Sequence, residues 1–275
     1  NNLIMKNWTI DDFELGKPLG RGRFGQVWLA KEKDGDCIVA LKIIPKKEIS
    51  TMDLAKQLRR EIEIHTNLKH PNVVRMYGHF HDAKNVYLIL EYAGKGEIYS
   101  LLELNGKFTE KIAANYIYQV AEALAYMQSM NVIHRDIKPE NLLLGCDNQI
   151  KISDFGWAVK NRDGKRLTYC GTPQYLAPEM YEKTVHNNTI DIWCLGILCY
   201  EFLVGETPFD FKNKTTAETY QIVKNLKYQL PEFLSLEARD FIRRVLKVEP
   251  KERMSLKDVI NHFWIVKHCC KENVK

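Results

Sequence analysis

The sequence predicts an α+β fold of two unequal lobes, a small sheet-rich N-terminal lobe carrying one helix and a larger, mainly helical C-terminal lobe. Three observations carry that expectation. Short β-branched and apolar runs at residues 27–30, 38–44 and 86–90, split by Gly and Asp turns, fill the first third of the chain. After Glu91-Tyr92-Ala93-Gly94-Lys95-Gly96 the apolar spacing turns helical, at 98–102, 113–130, 190–203, 215–223 and 236–246. The glycine-punctuated junction between these regimes is a natural hinge, and a ligand cleft is expected there.

Composition narrows the function classes. With 275 residues and 45% hydrophobic content the chain can bury a large core. Its 40 basic and 35 acidic residues are well mixed, so the net charge of +5 builds no face for a nucleic-acid backbone, and no nucleic-acid partner is expected. Seven cysteines without a CxxC pair suit reduced thiols in cytosol or nucleus. The apolar stretch 192–204 is broken by Glu201 and falls short of the roughly 18 residues of a spanning helix, so it reads as a buried core helix and no membrane is expected. The N-terminus lacks a signal-peptide pattern and an initiator methionine, and the chain reads as an excised catalytic domain.

Along the chain, Gly20-Arg21-Gly22-Arg23-Phe24-Gly25-Gln26-Val27 fits G-x-G-x-x-G-x-V, a strand-turn-strand cover that can close over phosphates without Cβ clashes. A dinucleotide fingerprint would need a helix after the third glycine, whereas Gln26-Val27-Trp28-Leu29 reads as strand. In Val39-Ala40-Leu41-Lys42, alternation puts Ala40 and Lys42 on one face and Val39, Leu41 and Ile43 on the other, aiming the ammonium at the glycine loop. A snorkelling edge lysine would also explain Lys42 taken by itself. The next helix weighs against that: Leu54, Leu58, Ile62, His65 and Leu68 follow helical spacing, and Glu61 falls on their inward stripe. An inward carboxylate needs a cation, and Lys42 is the candidate.

The densest chemistry lies in His134-Arg135-Asp136-Ile137-Lys138-Pro139-Glu140-Asn141, followed by Asp154-Phe155-Gly156. It supplies one carboxylate to orient a nucleophilic hydroxyl, one ammonium to neutralise phosphate, and an amide with a second carboxylate to hold Mg²⁺. A loop-capping role for Asp136 and an Asx turn at Asp154 are the plain alternatives for each alone. Asp191 opens the buried helix, where an N-cap would suffice, yet it is also expected to anchor the His134-Arg135 backbone. Glu179 and Arg253 are expected to form a buried ion pair.

These motifs, from about residue 13 to residue 265, resemble those of eukaryotic protein kinases, and Lys138 and Thr172 resemble the serine/threonine class. Within that class Trp8-Thr9-Ile10-Asp11-Asp12-Phe13-Glu14-Leu15-Gly16, Gln57-Leu58-Arg59-Arg60-Glu61 and Asp154-Phe155-Gly156-Trp157 resemble the Aurora kinases, although His65 stands where those usually carry glutamine. The resemblance implies a bilobal protein kinase fold over residues 13–265, with N-lobe 13–90 and its regulatory helix, hinge 91–96 and C-lobe 97–265. It implies ATP and Mg²⁺ as cofactors. Leu19, Val27, Ala40 and Leu143 would enclose adenine, Glu91 and Ala93 would supply backbone hydrogen bonds, and Leu90 would be gatekeeper. Gly20, Gly22, Gly25, Lys42 and Glu140 complete the nucleotide set. Asp136, Lys138, Lys42 and Glu61 would be catalytic, with Asn141 and Asp154 holding metal.

The same resemblance makes Thr168 the activating phosphosite, facing Arg60, Arg135 and Arg166. Glu97, Glu140, Glu201 and Thr172 would recognise substrates with arginine upstream of Ser or Thr. It further implies an activating partner protein at the N-lobe, a monomeric catalytic domain, and a mitotic role in nucleus and cytoplasm at spindle, centrosome or chromosomes. A pseudokinase scaffold and a small-molecule phosphotransferase are the competing classes. Intact Lys42, Asp136, Asn141 and Asp154 disfavour the first, and Ala177-Pro178-Glu179 the second.

Overall fold

A computed structural model describes residues 7–22, 24–160, 171–184 and 187–269. Strands β1 (Phe13–Arg21), β2 (Gln26–Glu32), β3 (Ile38–Pro45), β4 (Met76–His81) and β5 (Asn85–Glu91) form one antiparallel sheet in the order β1-β2-β3-β5-β4. The expected runs are therefore central segments of β2, β3 and β5. β1 and β4 are its edges, and β1 carries Pro18 with register shifts on either side, where a missing N–H is tolerated. Helix α1 (Met52–Asn67) lies between β3 and β4, its first turn capped by the Thr51 hydroxyl accepting from Leu54 N–H at 3.3 Å. Its buried face runs through Leu58, Glu61, Ile64 and His65, so the stripe is centred beside Ile62 and not on it.

The C-terminal lobe is built on α2 (Ile98–Asn105), α3 (Glu110–Ser129), α4 (Pro178–Tyr181), α5 (Thr189–Val204), α6 (Thr216–Lys224), α7 (Leu236–Val245), α8 (Leu256–Ile260) and α9 (Phe263–Cys269). Four short strands, β6 (Val132–Ile133), β7 (Leu142–Leu144), β8 (Ile150–Ile152) and β9 (Val159–Lys160), pair as β6-β9 and β7-β8 on the surface that faces the N-terminal lobe. The loop of residues 134–141 lies between the two ribbons, which hold it at both ends. Residues 71–74 tie the lobes together: Val74 N–H donates to Ile152 O at 2.9 Å and Ile152 N–H to Asn72 O at 2.9 Å.

Helix α5 is buried almost all round, as its largely apolar sequence requires, and ends at Gly205, whose φ of +95° suits glycine. It does not open at Asp191. Thr189 is its first residue, and Asn187 Oδ1 accepts from Thr189 N–H at 2.9 Å, serving the helix start and freeing the Asp191 carboxylate for another segment. Among the described residues no helix is long and apolar enough to cross a membrane.

The Glu179–Arg253 pair forms as expected. Arg253 Nη1 and Nη2 each donate to a different Glu179 oxygen at 2.7 Å, and the remaining N–H groups reach the carbonyls of Thr189, Lys247 and Val248. Both side chains are almost wholly buried, so removing the cation strands a carboxylate and several carbonyls. Arg253→Met is expected to cost about 3 to 5 kcal/mol, and to lower the midpoint of a calorimetric melt by roughly 10 °C. An unchanged midpoint would contradict this account of the pair.

Candidate active site

Between the lobes lies a cleft of about 530 Å³. Leu19, Gly20, Gly22 and Val27 roof it, Ala40, Lys42, Val74 and Leu90 form the inner wall, residues 91–97 form the outer edge, and Glu140, Asn141, Leu143, Ser153 and Asp154 form the floor. Strand alternation explains the wall. Val39 and Leu41 pack into the outer cluster of the sheet with Phe13, Tyr87 and Ile89, leaving Ala40 and Lys42 to face the cleft. Gly25 also serves packing: a Cβ there would fall 2.0 Å from Ile43 O, so this glycine permits close approach of the hairpin to β3.

Lys42 is 8% exposed, and its Nζ lies 2.9 Å from Glu61 Oε1. Burial works against its charge, but Glu61 and Asp154 outweigh burial and the pKa of the lysine is raised, so it stays a cation. For Asp154 burial likewise opposes ionisation, and Lys42 together with the Gly156 N–H overcomes it, leaving the carboxyl below its ordinary range. Glu61 Oε2 is buried and has no hydrogen-bond partner among the described residues. A Cβ on Gly156 would sit 3.1 Å from Asp154 Oδ1 and 3.6 Å from this oxygen, so the glycine keeps a polar space open between two carboxylates.

The loop of residues 134–141 is held from below by Asp191, whose Oδ2 and Oδ1 accept from the N–H groups of His134 and Arg135 at 2.8 Å each. Burial raises the Asp191 pKa, with His134 and the two N–H groups pulling the other way. Arg135 and Asp154 have φ of +71° and +57°, left-handed values that non-glycine residues hold only where their surroundings over-determine them. Asp136 N–H donates to His134 Nδ1 at 3.3 Å, which puts the imidazole proton on Nε2, and Nε2 donates to Ser153 O at 3.0 Å.

Asn141 Nδ2 donates to Asp136 O at 2.7 Å and to Asp136 Oδ2 at 2.9 Å. Thr172 Oγ1 donates to Asp136 Oδ1 at 3.2 Å and accepts from Lys138 Nζ at 2.8 Å, and that ammonium is 3.6 Å from Asp136 Oδ2. The Asx turn at Asp154 is also present, Oδ1 accepting from Gly156 N–H at 3.1 Å, so the turn and an ionised carboxylate coexist in one residue. The donor set offered to a cation is the Asp154 carboxylate and Asn141 Oδ1, which no hydrogen bond among the described residues uses. Few, hard oxygen donors fit Mg²⁺, which keeps water and phosphate oxygens around it.

Glu97 and Glu140 line the cleft, and Glu201 lies half-buried where Tyr175 O–H donates a short bond to it. Burial and the Glu140 charge raise the pKa of Glu97, and the same two influences raise that of Glu201 against the Tyr175 hydrogen bond. Glu201 is thus no solvated surface carboxylate. Arg60 is exposed on α1, whereas Arg135 is buried and its Nε donates to Trp157 O at 2.8 Å. Thr168 and Arg166 lie outside the described residues, as does Cys170.

Sequence reasoning missed the outer-edge bridge, in which Lys151 Nζ meets Glu91 Oε1 at 2.8 Å and Pro71 O at 2.8 Å. No local signal pointed to Lys151, whose role depends on β8 pairing. It also missed Gln57, which sits one helical turn before Glu61 and could have been found by that spacing.

The fold and this constellation define a protein kinase: residues 13–265 match the family described as Protein kinase domain, whose members use ATP and Mg²⁺. The chain is 60% identical over 266 residues to the Aurora kinase of Encephalitozoon cuniculi, covering 96% of this chain and 98% of that protein. It is 51% identical over 263 residues to the Aurora kinase of Schizosaccharomyces pombe, 96% of this chain and 74% of that protein. With Aurora kinase A-A of Xenopus laevis it shares 49% over 263 residues, 96% of this chain and 64% of that protein. The chain belongs to the Aurora family of serine/threonine protein kinases.

His65 joins α1 to this site. Its ring lies 4.4 Å from that of Phe155, which in turn lies 5.0 Å from His134, and its Nε2 donates to Val74 O at 2.6 Å. Burial, only partly opposed by the Val74 carbonyl, pushes its pKa from 6.5 down to about 4. Between pH 6.5 and 4 the unfolded chain therefore binds the extra proton, and stability falls as the pH is lowered through that window. His65→Gln is expected to abolish about 3 kcal/mol of this acid loss, read from urea melts at the two ends of the window. Parallel pH profiles for both proteins would refute it.

Proposed function

We infer that this chain transfers the γ-phosphate of ATP to serine or threonine hydroxyls of protein substrates in a basic context. The convergence of Asp136, Lys138, Asn141 and Asp154 at one end of the cleft, with Lys42 on its wall, carries this reading. Adenine fits between Leu19, Val27, Ala40 and Leu143, with backbone groups of Glu91 and Ala93 at its edge and Leu90 behind. Asn141 and Asp154 would hold Mg²⁺, which when bound neutralises phosphate charge. Asp136 orients the incoming hydroxyl and accepts its proton, its carboxylate fixed by Asn141 and Thr172. Lys138 and Lys42 offset the charge of the phosphates. With a loose transition state, such positioning and fixed charge supply most of the catalysis.

Arginine upstream of the target suits Glu97, Glu140 and Glu201, carboxylates whose mutual repulsion a guanidinium would relieve. Membership of the Aurora family supports a role in mitosis, with association to mitotic structures, and an activating partner acting on the N-terminal lobe. The domain reading of residues 13–90, 91–96 and 97–265 as lobe, hinge and lobe belongs to the same proposal. A serine peptide with arginine two or three residues upstream is expected to take radiolabel from ATP faster than an acidic or proline-directed one. Asp136→Asn should lower that turnover by about a hundredfold or more while nucleotide still binds. A chain that binds ATP yet labels no peptide would be a scaffold and would overturn this reading.

Thr168 is the proposed activating phosphosite. A phosphate there could accept two or more charge-assisted bonds from Arg60, Arg135 and Arg166, each about 1.5 to 3 kcal/mol, against an ordering cost of about 1 to 2 kcal/mol per loop residue. Thr168→Ala is expected to keep ATP affinity and to lose most peptide turnover. Full activity of the alanine variant would remove this site from the proposal.

A further inference from the structure

Helix α1 grips the site at a second point. Gln57, one turn before Glu61 and partly buried, donates from Nε2 to Gly156 O at 2.6 Å. On the next peptide, Arg135 Nε donates to Trp157 O at 2.8 Å. Two consecutive carbonyls are thus held from opposite lobes, one by α1 and one by the loop of residues 134–141. Two residues upstream of Gly156 lies Asp154, whose left-handed backbone must be fixed by its neighbours and whose Oδ1 accepts from the N–H of the same Gly156. Gly156 is buried, so its carbonyl requires a donor, and Gln57 supplies it.

We propose that Gln57 is a positioning residue for Asp154: it fixes the peptide that orients the metal-side carboxylate, and it transmits the position of α1 to that carboxylate by a route that bypasses Lys42. The proposal rests on the phosphotransfer reading above. The Lys42–Glu61 pair reports whether α1 lies against β3. The Gln57–Gly156 bond reports whether α1 lies against the turn after Asp154.

The test compares Gln57→Met, which keeps length and removes the donor, with Gln57→Lys, which restores one. Hydrogen exchange of residues 155–158, ADP affinity by calorimetry in EDTA and in Mg²⁺, and steady-state kinetics are measured on each. For Gln57→Met, exchange accelerates, affinity in EDTA is unchanged, and both kcat and the gain in ADP affinity given by Mg²⁺ fall about three- to tenfold, the span of one neutral buried hydrogen bond. Gln57→Lys returns them toward wild type. A methionine variant within about twofold of wild type in all three readouts overturns the proposal. So does a loss of affinity that is equal with and without Mg²⁺ and is not restored by lysine, since that would mark a merely structural residue. An inactive wild-type protein would overturn the phosphotransfer reading instead, while exchange and ADP affinity still decide the role of Gln57.

Discussion

The buried pair of Lys42 and Glu61 is the constraint on which the rest of the site depends. Neither charge can return to water without moving its element, because Lys42 belongs to the central sheet and Glu61 to the inward face of α1. Burial of both is tolerable only while they meet. Asp154 adds a third charge to the group, so a cation, two carboxylates and the open space beside Gly156 form one electrostatic unit. Charge that arrives with a nucleotide enters a region already fixed in sign and geometry, which is the form of preorganisation that stabilises developing charge at least cost in reorganisation.

Much of this could be read from local pattern. Period-two alternation placed Ala40 and Lys42 on one face of β3, and helical spacing placed Glu61 on the face opposite them. Both follow from backbone geometry within one element. The order of groups in residues 134–141 specified the loop chemistry because loop and side chains are contiguous. Asp191 was legible as an anchor, yet the start of its helix was misplaced, since the helix begins at Thr189, whose N–H is met by Asn187, and nothing at Asp191 itself signals a helix already under way.

What stayed hidden was non-local. The third glycine of the roof reads in sequence as part of the phosphate cover, and its close approach to Ile43 O appears only in space. The Lys151–Glu91 bridge depends on β8 lying near the end of β5, and β6 and β9 are two-residue strands that carry no periodicity of their own. His65 was legible as a member of the inward stripe and as a departure from glutamine. Its meaning, a neutral ring between Val74 O and Phe155, needed the tertiary packing to appear.

The two halves of the site differ in how they are secured. The loop of residues 134–141 is fastened to α5 through Asp191, and α5 is buried in the main core and tied to Arg253 through the Thr189 carbonyl. Shifting that loop would disturb the largest apolar cluster of the protein. Helix α1 is packed through Leu58 and Ile64, and it touches the site at three residues: Glu61 on Lys42, Gln57 on Gly156, and His65 on Val74 and Phe155. The hydrogen bonds of Gln57 and His65 are worth on the order of a kilocalorie each, whereas stranding one charge of the buried Lys42–Glu61 pair costs about 3 to 5 kcal/mol, so that pair supplies most of what holds α1 to the site. With the loop of residues 134–141 fastened to α5 and α1 packed in the other lobe, the turn after Asp154 is the segment gripped from both sides, by Gln57 at Gly156 and by Arg135 at Trp157.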